Sequence, residues 1–447
     1  MTMSGKSVAW VAALGLAWGL LGAAPGLSAT LPHFAEDSHL GVTSCAGSTC
    51  HGAVEPWKDS TVLQNEYITW QRQDKHAKAY QILLNERSQR IAKNLGLPNA
   101  HTAEICLDCH ADNPAANKRG RQFQVSDGVG CEACHGGAQR WLGIHIAGTG
   151  SHQDNIAAGM YPTENAVDRA KLCVSCHFGD TRKFVTHRIM GAGHPRMSFE
   201  LDTFTAIQPA HYRVDADYPK RKRVFTGMQT WAIGQSIALS ETLDALLDAK
   251  RGRDGIFPEL VLFDCHSCHH PMSNLRWEAR ASTGLGPGVV KFNDANVIML
   301  RIIADRVDPE QGKAVRALGV ALHTASTQGH DAMLKVAKDL RDVSGKLTDK
   351  FAAHVFGKDD MTALLAGVVK EGLNGEYIDY SAAEQATMAL GSIITAMRAG
   401  GIIDEKQQTA LSAAVDKCYA AVAKDEEYQP RTFIAALQLV QAAIPSF

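Results

Sequence analysis

Four times the sequence sets two cysteines with two residues between them and a histidine directly after the second: Cys106, Cys109 and His110; Cys131, Cys134 and His135; Cys173, Cys176 and His177; Cys265, Cys268 and His269. Two thiols so spaced reach the two vinyl groups along one edge of a porphyrin and close as thioethers, which leaves the next imidazole to bind iron. Chance gives on the order of 0.01 such strings in a chain of this length and composition. A fifth string, Cys45, Cys50 and His51, has four residues between its sulfurs. Gly47 and Ser48 are small enough to let that loop bulge, and the histidine still follows directly, so it is read the same way. Five covalent haem c groups are therefore expected, and none of these residues is a catalytic acid, base or nucleophile.

Other uses of the sulfur fit less well. A zinc ribbon would explain two cysteine pairs, but not a histidine after every pair. Thioredoxin-like chemistry needs a βαβ setting that surrounds none of them. Cys418, the one cysteine outside the motifs, reads as a small buried hydrophobe.

Each iron has a second axial position to fill. Of the 19 histidines, 14 remain after the motif residues, and 11 of those lie between His33 and His270. A lone histidine is usually structural, but at this density beside several irons, ligation by two histidines is the economical reading. His187 and His194 are seven apart and could share one helix face. His270 must point away from the iron of its neighbour His269, and either ligates another haem or lies exposed. Met197 and Met272 read as packing rather than axial sulfur.

The elements that carry these residues differ along the chain. Residues 1–29 read as a signal peptide, with Lys6, an apolar run from Val8 to Ala24, and small residues at Ser28 and Ala29. Export implies an oxidising compartment, where unprotected cysteine pairs would become disulfides. The expected location is the periplasm, with membrane contact only through an uncleaved N-terminal segment. Residues 30–215 are loop-rich, punctuated by Gly, Pro and Asn, with short helices at 86–95 and 167–172. Such a region can build little apolar core of its own, so closely packed porphyrins would have to serve as one. Residues 216–290 hold a helix at 224–247 and the fifth motif, after a charge run Lys220, Arg221, Lys222, Arg223 that is either a solvated face or a partner-docking surface. Residues 291–447 turn Ala- and Leu-rich with helical spacing, predicting a bundle of helices at 293–306, 312–326, 332–350, 361–369, 381–399, 405–423 and 431–443. His323, His330 and His354 within it read as surface or core residues. The fold class is mainly α: a loop-rich multihaem domain with stacked haems, then a helical bundle. A formal net charge of −2 offers no nucleic-acid footprint.

The order of motifs resembles the tetrahaem cytochrome c-554 family and its wider multihaem relatives. The matching strings are Asp74-Lys75-His76-Ala77-Lys78-Ala79, Cys106 to His110, Gly128-Val129-Gly130-Cys131-Glu132-Ala133-Cys134-His135-Gly136-Gly137, Gly143-Ile144-His145 and Cys173 to His177. Gly191-Ala192-Gly193-His194-Pro195-Arg196 also resembles a string that supplies axial ligands in multihaem cytochromes. The resemblance implies His145 as distal ligand for the haem at His51, His76 for that at His135, an open face at His110, and His194 or His211 for that at His177. The wide first motif, the fifth haem and the helical C-terminal domain depart from the family pattern.

The function expected is electron transfer between redox partner proteins, either other cytochromes or a periplasmic or membrane oxidoreductase. The alternative is an oxidoreductase acting on a small nitrogen or sulfur compound at a five-coordinate haem, so enzymatic activity stays open while the residues favour a carrier. The cations Arg140, Lys171 and Arg196 near the motifs are expected to pair with haem propionates.

Overall fold

The computed structural model describes residues 29–445 apart from 256, 270–279, 281, 287 and 288. Of the signal-peptide segment only Ala29 is included, and His270 and Met272 also lie outside the described residues. The chain is mainly α-helical, and its one two-stranded sheet, among the described residues, pairs Arg253–Asp254 with Phe257–Pro258.

From residue 29 to about 215 the helices are short, none longer than the twelve residues of Ala166–His177. Gly136, at φ +80°, ends the helix Cys131–His135, and a side chain there would meet the Gly159 carbonyl at 2.9 Å. Gly128, at φ +77°, lets the segment before the third motif run against the turn Lys75–Lys78, where a Cβ would come within 2.8 Å of the His76 carbonyl. The backbone seals that contact, with Val129 N–H donating to His76 O at 3.0 Å. One small apolar cluster belongs to this region alone: Leu83, Ala92, Ala100, Leu107 and Ala111.

The helix Gly227–Leu247 organises the rest. Thr226 caps it, with Gln229 completing a reciprocal capping box. It is buried on nearly every side, as a helix apolar all round must be. Polar side chains within it find partners: Ser236 with Thr348 at 2.9 Å, Ser240 with Ser344 at 3.2 Å, and Gln235 with Gln385 at 2.9 Å. Against one side lies the helix Ala166–His177, whose Ala166, Ala170 and Val174 recur every four residues as a single fully buried face. The same apolar core continues into the C-terminal helices, so packing is unbroken across residues 215 and 290.

Those C-terminal helices span Ala295–Val307, Pro309–Ser326, His330–Ala353, Lys358–Leu373, Tyr380–Ala399, Glu405–Ala421 and Pro430–Ala443. All seven expected helices are present. Five start one to three residues earlier than periodicity alone indicates, and in two of these Pro309 and Pro430 occupy first helical positions, where the missing N–H costs nothing. Cys418 is fully buried.

A buried ionic network fastens the segment carrying the fifth motif to this bundle. Arg280 pairs with Asp294 and, at 3.1 Å, with Asp379; Lys291 also pairs with Asp379; His323 bonds Asp294 at 2.8 Å. Backbone bonds from Asp264 N–H to Lys291 O at 2.7 Å and from Asn293 N–H to Leu262 O at 3.0 Å complete the join. Paired this way, the buried charges escape the penalty an isolated ion would bear.

Candidate haem sites

Three of the regular motifs lie on α-helices, Glu104–His110, Cys131–His135 and Ala166–His177, and each helix ends on its motif histidine. Residues three apart on a helix share a face, so both sulfurs of each pair leave the same side. The motif at 265–269 is a tight turn in which His269 N–H donates to Cys265 O at 2.8 Å. In the wide motif, Cys50 N–H and Gly52 N–H both bond to Gly47 O, and His51 N–H reaches Cys45 O at 3.2 Å. The extra residues are looped out, and the histidine meets the first cysteine's carbonyl as it does at 265–269.

No disulfide joins any of the ten motif cysteines, and each side chain keeps some exposure. Cys45 lies against Cys131 and Cys109 against Cys176, with Cys134 and Cys173 in electrostatic reach of each other. Exposed apolar side chains flank the candidate ligands in the chain, Ile105 beside Cys106 and Ile144 and Ile146 on either side of His145. An apolar macrocycle is a surface such residues would cover.

Every motif histidine faces one other histidine. The ring centroids are 5.9 Å apart for His51 and His145, 6.4 Å for His110 and His194, 6.3 Å for His135 and His211, 6.2 Å for His177 and His76, and 6.1 Å for His269 and His187. With nitrogen–metal bonds of about 2 Å on each side, two imidazoles across one metal ion have centroids roughly 6 Å apart. The residues present therefore fit an iron held between two histidines at all five motifs.

Hydrogen bonding separates these rings from the other histidines. Where a paired ring bonds elsewhere it does so through Nδ1: His51 to Glu66 at 2.9 Å, His76 to Asp74 at 2.9 Å, His110 to Ala79 O at 3.2 Å and His194 to Pro195 O at 2.8 Å. That leaves Nε2 to the gap, and a bond at Nδ1 fixes both tautomer and ring direction. Five unpaired rings instead spend Nε2 on a carboxylate: His33 on Asp180, His152 on Glu164, His266 on Asp425, His323 on Asp294 and His354 on Asp360. His39 is also committed, through Nδ1 to Asp112.

The electrostatics suit neutral ligands. Burial pushes the His135 imidazole down to about 3 and also lowers His110, His145 and His177. A metal needs the unprotonated ring, so burial holds the competent form. His51 and His76 are raised, by their bonds to Glu66 and Asp74 respectively. Burial resists ionisation of Asp74, yet the bonds from His76 and Gln208 prevail and hold its carboxyl at about 2.

Several sequence expectations place rings differently from the structure. His145 stands opposite His51. His76 faces His177 rather than His135, because its backbone packs on the third-motif segment while Asp74 turns the ring the other way. His194 faces His110, over the side expected to be open, and His211 faces His135, so neither serves His177. His187 was not among the expected ligands. It opens the short helix His187–Gly191, capped by Thr186, with its own N–H held by Glu259 at 2.7 Å. Its sequence neighbourhood has no feature that sets it apart from His152 or His33. Of the cations expected at propionates, Arg140 is taken by Asp37 at 2.7 Å, and Arg196 by Glu384 at 2.7 Å and Asp425 at 3.1 Å, over the Tyr380 ring. Lys171 stands in electrostatic reach of Glu241.

Residues 44–136, about a fifth of the chain and containing the first three motifs, match the family model described as cytochrome c554 and c-prime. No curated protein and no solved structure matches the chain significantly.

Proposed function

We propose that this chain, whose residues 44–136 match the cytochrome c554 and c-prime family model, is an exported electron carrier whose five haems, each between two histidines, form one conducting row. As a multihaem c-type cytochrome it carries covalently bound haem c and works in electron transfer. The haem iron, when bound, supplies the one-electron chemistry.

The observation that carries this reading is the pairing of each motif histidine with a second histidine at a distance that brackets one metal ion. The rest of the work expected of the chain is positioning. Cys45 beside Cys131, Cys134 near Cys173, and Cys176 beside Cys109 hold four attachment points in the order first, third, fourth, second motif. His187 and His194, joined by one short helix, serve the fifth and second motifs and bring those two sites together. Cys50 and Cys268 are the exposed motif cysteines, so both ends of such a row reach the surface, where entry and exit must occur.

The same observation weighs against an enzyme that binds a small substrate at the His110 site, because His194 occupies the position a substrate would need. A periplasmic location accords with the family and with the N-terminal segment; among the described residues no helix is long and apolar enough to cross a membrane. The partners proposed are other cytochromes or a periplasmic or membrane oxidoreductase. The test is addition of carbon monoxide to the dithionite-reduced protein. A carrier with every axial position filled shows no spectral shift, and a shift of one haem per chain supports the enzyme.

A further inference from the structure

We propose that the exposed strap at residues 211–224 is a docking surface for an acidic redox protein, which exchanges electrons at the first and third haem sites beneath it. This rests on the electron-transfer reading and names the chemistry of the partner. The strap begins at His211, the ring opposite His135, and Lys222 lies in electrostatic reach of both His135 and His145. It therefore borders two of the five histidine pairs.

Its charge is concentrated. Within the strap Arg213, Lys220, Arg221, Lys222 and Arg223 stand against Asp215 and Asp217 alone, on a chain whose formal net charge is −2, and from outside it Glu164 lies in electrostatic reach of Lys222. The two carboxylates have local duties. Asp215 accepts the N–H groups of Asp217 and Tyr218, and Asp217 pairs with Arg221 at 2.7 Å. Arg223 is anchored by the Ala352 carbonyl and the Phe225 ring, whereas Arg213 and Lys220 are exposed and make no ion pair among the described residues. Interleaved with the cations are the exposed apolar side chains Tyr212, Val214 and Val224. Apolar contact inside a ring of one charge sign is how transient redox interfaces steer a partner without holding it long. Charge complementarity makes that partner acidic.

An acidic flavodoxin, reduced to its anionic hydroquinone, is a suitable probe. In each encounter the flavin loses one electron and becomes the neutral semiquinone, the chain gains one, and no proton need move. Stopped-flow rates are compared for the mature haem-loaded protein and for R213E/K220E, which alters two exposed side chains that make no ion pair among the described residues. Wild-type rates should fall as salt rises. The variant should be about tenfold slower at low ionic strength with a flattened salt dependence, and R213Q/K220Q should lie between. Equal rates and slopes for wild type and variant would overturn the docking surface, as would charge-dependent binding to anionic phosphatidylglycerol vesicles with no charge effect on the flavodoxin reaction. Dithionite separates the two levels of inference: full reduction of both proteins upholds electron transfer whatever the flavodoxin result, and failure of dithionite to reduce the wild type removes both.

Discussion

Replacing His194 by alanine should convert one haem of five from low-spin to high-spin and leave the other four untouched. His194 faces His110 at 6.4 Å between ring centroids, and its Nδ1 is held by the Pro195 carbonyl, so one nitrogen alone is presented to the His110 site. None of the other paired histidines can replace it, since each already faces a motif histidine of its own. His194 lies outside the apolar clusters, so the change should cost the fold little. One open iron in five fixes the expected amplitude: a ferric high-spin signal from one fifth of the haem, and a carbon monoxide titration that ends at one per chain in H194A and at zero in wild type. Optical titration of the reduced proteins, calibrated against iron content, reads both. No carbon monoxide binding in H194A, or a wild type that already binds one, would refute the pairing of His110 with His194.

Asp74 accepts from the Nδ1 of His76, so D74N should withdraw electron density from that imidazole and raise the potential of the haem at His177 by on the order of 60 mV, a tenfold change in its equilibrium. Potentiometry resolving no upward shift in any haem contradicts this. Burial pushes the Glu200 carboxyl up to about 7 from its ordinary 4.5, so its contribution to stability is complete below pH 4.5 and is lost as pH rises through about 7. That loss is at most about 3 kcal/mol, and E200Q should flatten it; thermal melts at pH 5 and pH 8 that fall equally in both proteins would contradict the assignment. R280M takes the shared guanidinium from buried Asp294 and Asp379, leaving them His323 and Lys291 respectively, and should cost about 3–5 kcal/mol in denaturant unfolding, where a loss under about 1 kcal/mol would show the network to be dispensable.

The motifs were legible because they are local: two cysteines and a histidine within five residues declare themselves without reference to the fold. The C-terminal helices were legible for the same reason, their apolar residues recurring at helical spacing and their ends marked by proline and by caps such as Asp308 and Asp404. Distal ligation is a long-range property. His76 packs its backbone against the third motif yet sends its ring to the fourth, and only Asp74, two residues away, decides the direction. His187 and His152 look alike in sequence; what separates them is that Glu164 claims the His152 Nε2 while His269 stands opposite His187. The continuous core was hidden too, because the buried face Ala166, Ala170, Val174 sits on the helix that carries the fourth motif and packs on a helix some sixty residues further along the chain.

Near-infrared magnetic circular dichroism of the oxidised mature protein, calibrated against iron in the same sample, addresses the five histidine pairs at once. The prediction is five irons per chain, all low-spin and all ligated by two imidazoles. Four or fewer irons, or a high-spin component of even one, would contradict it.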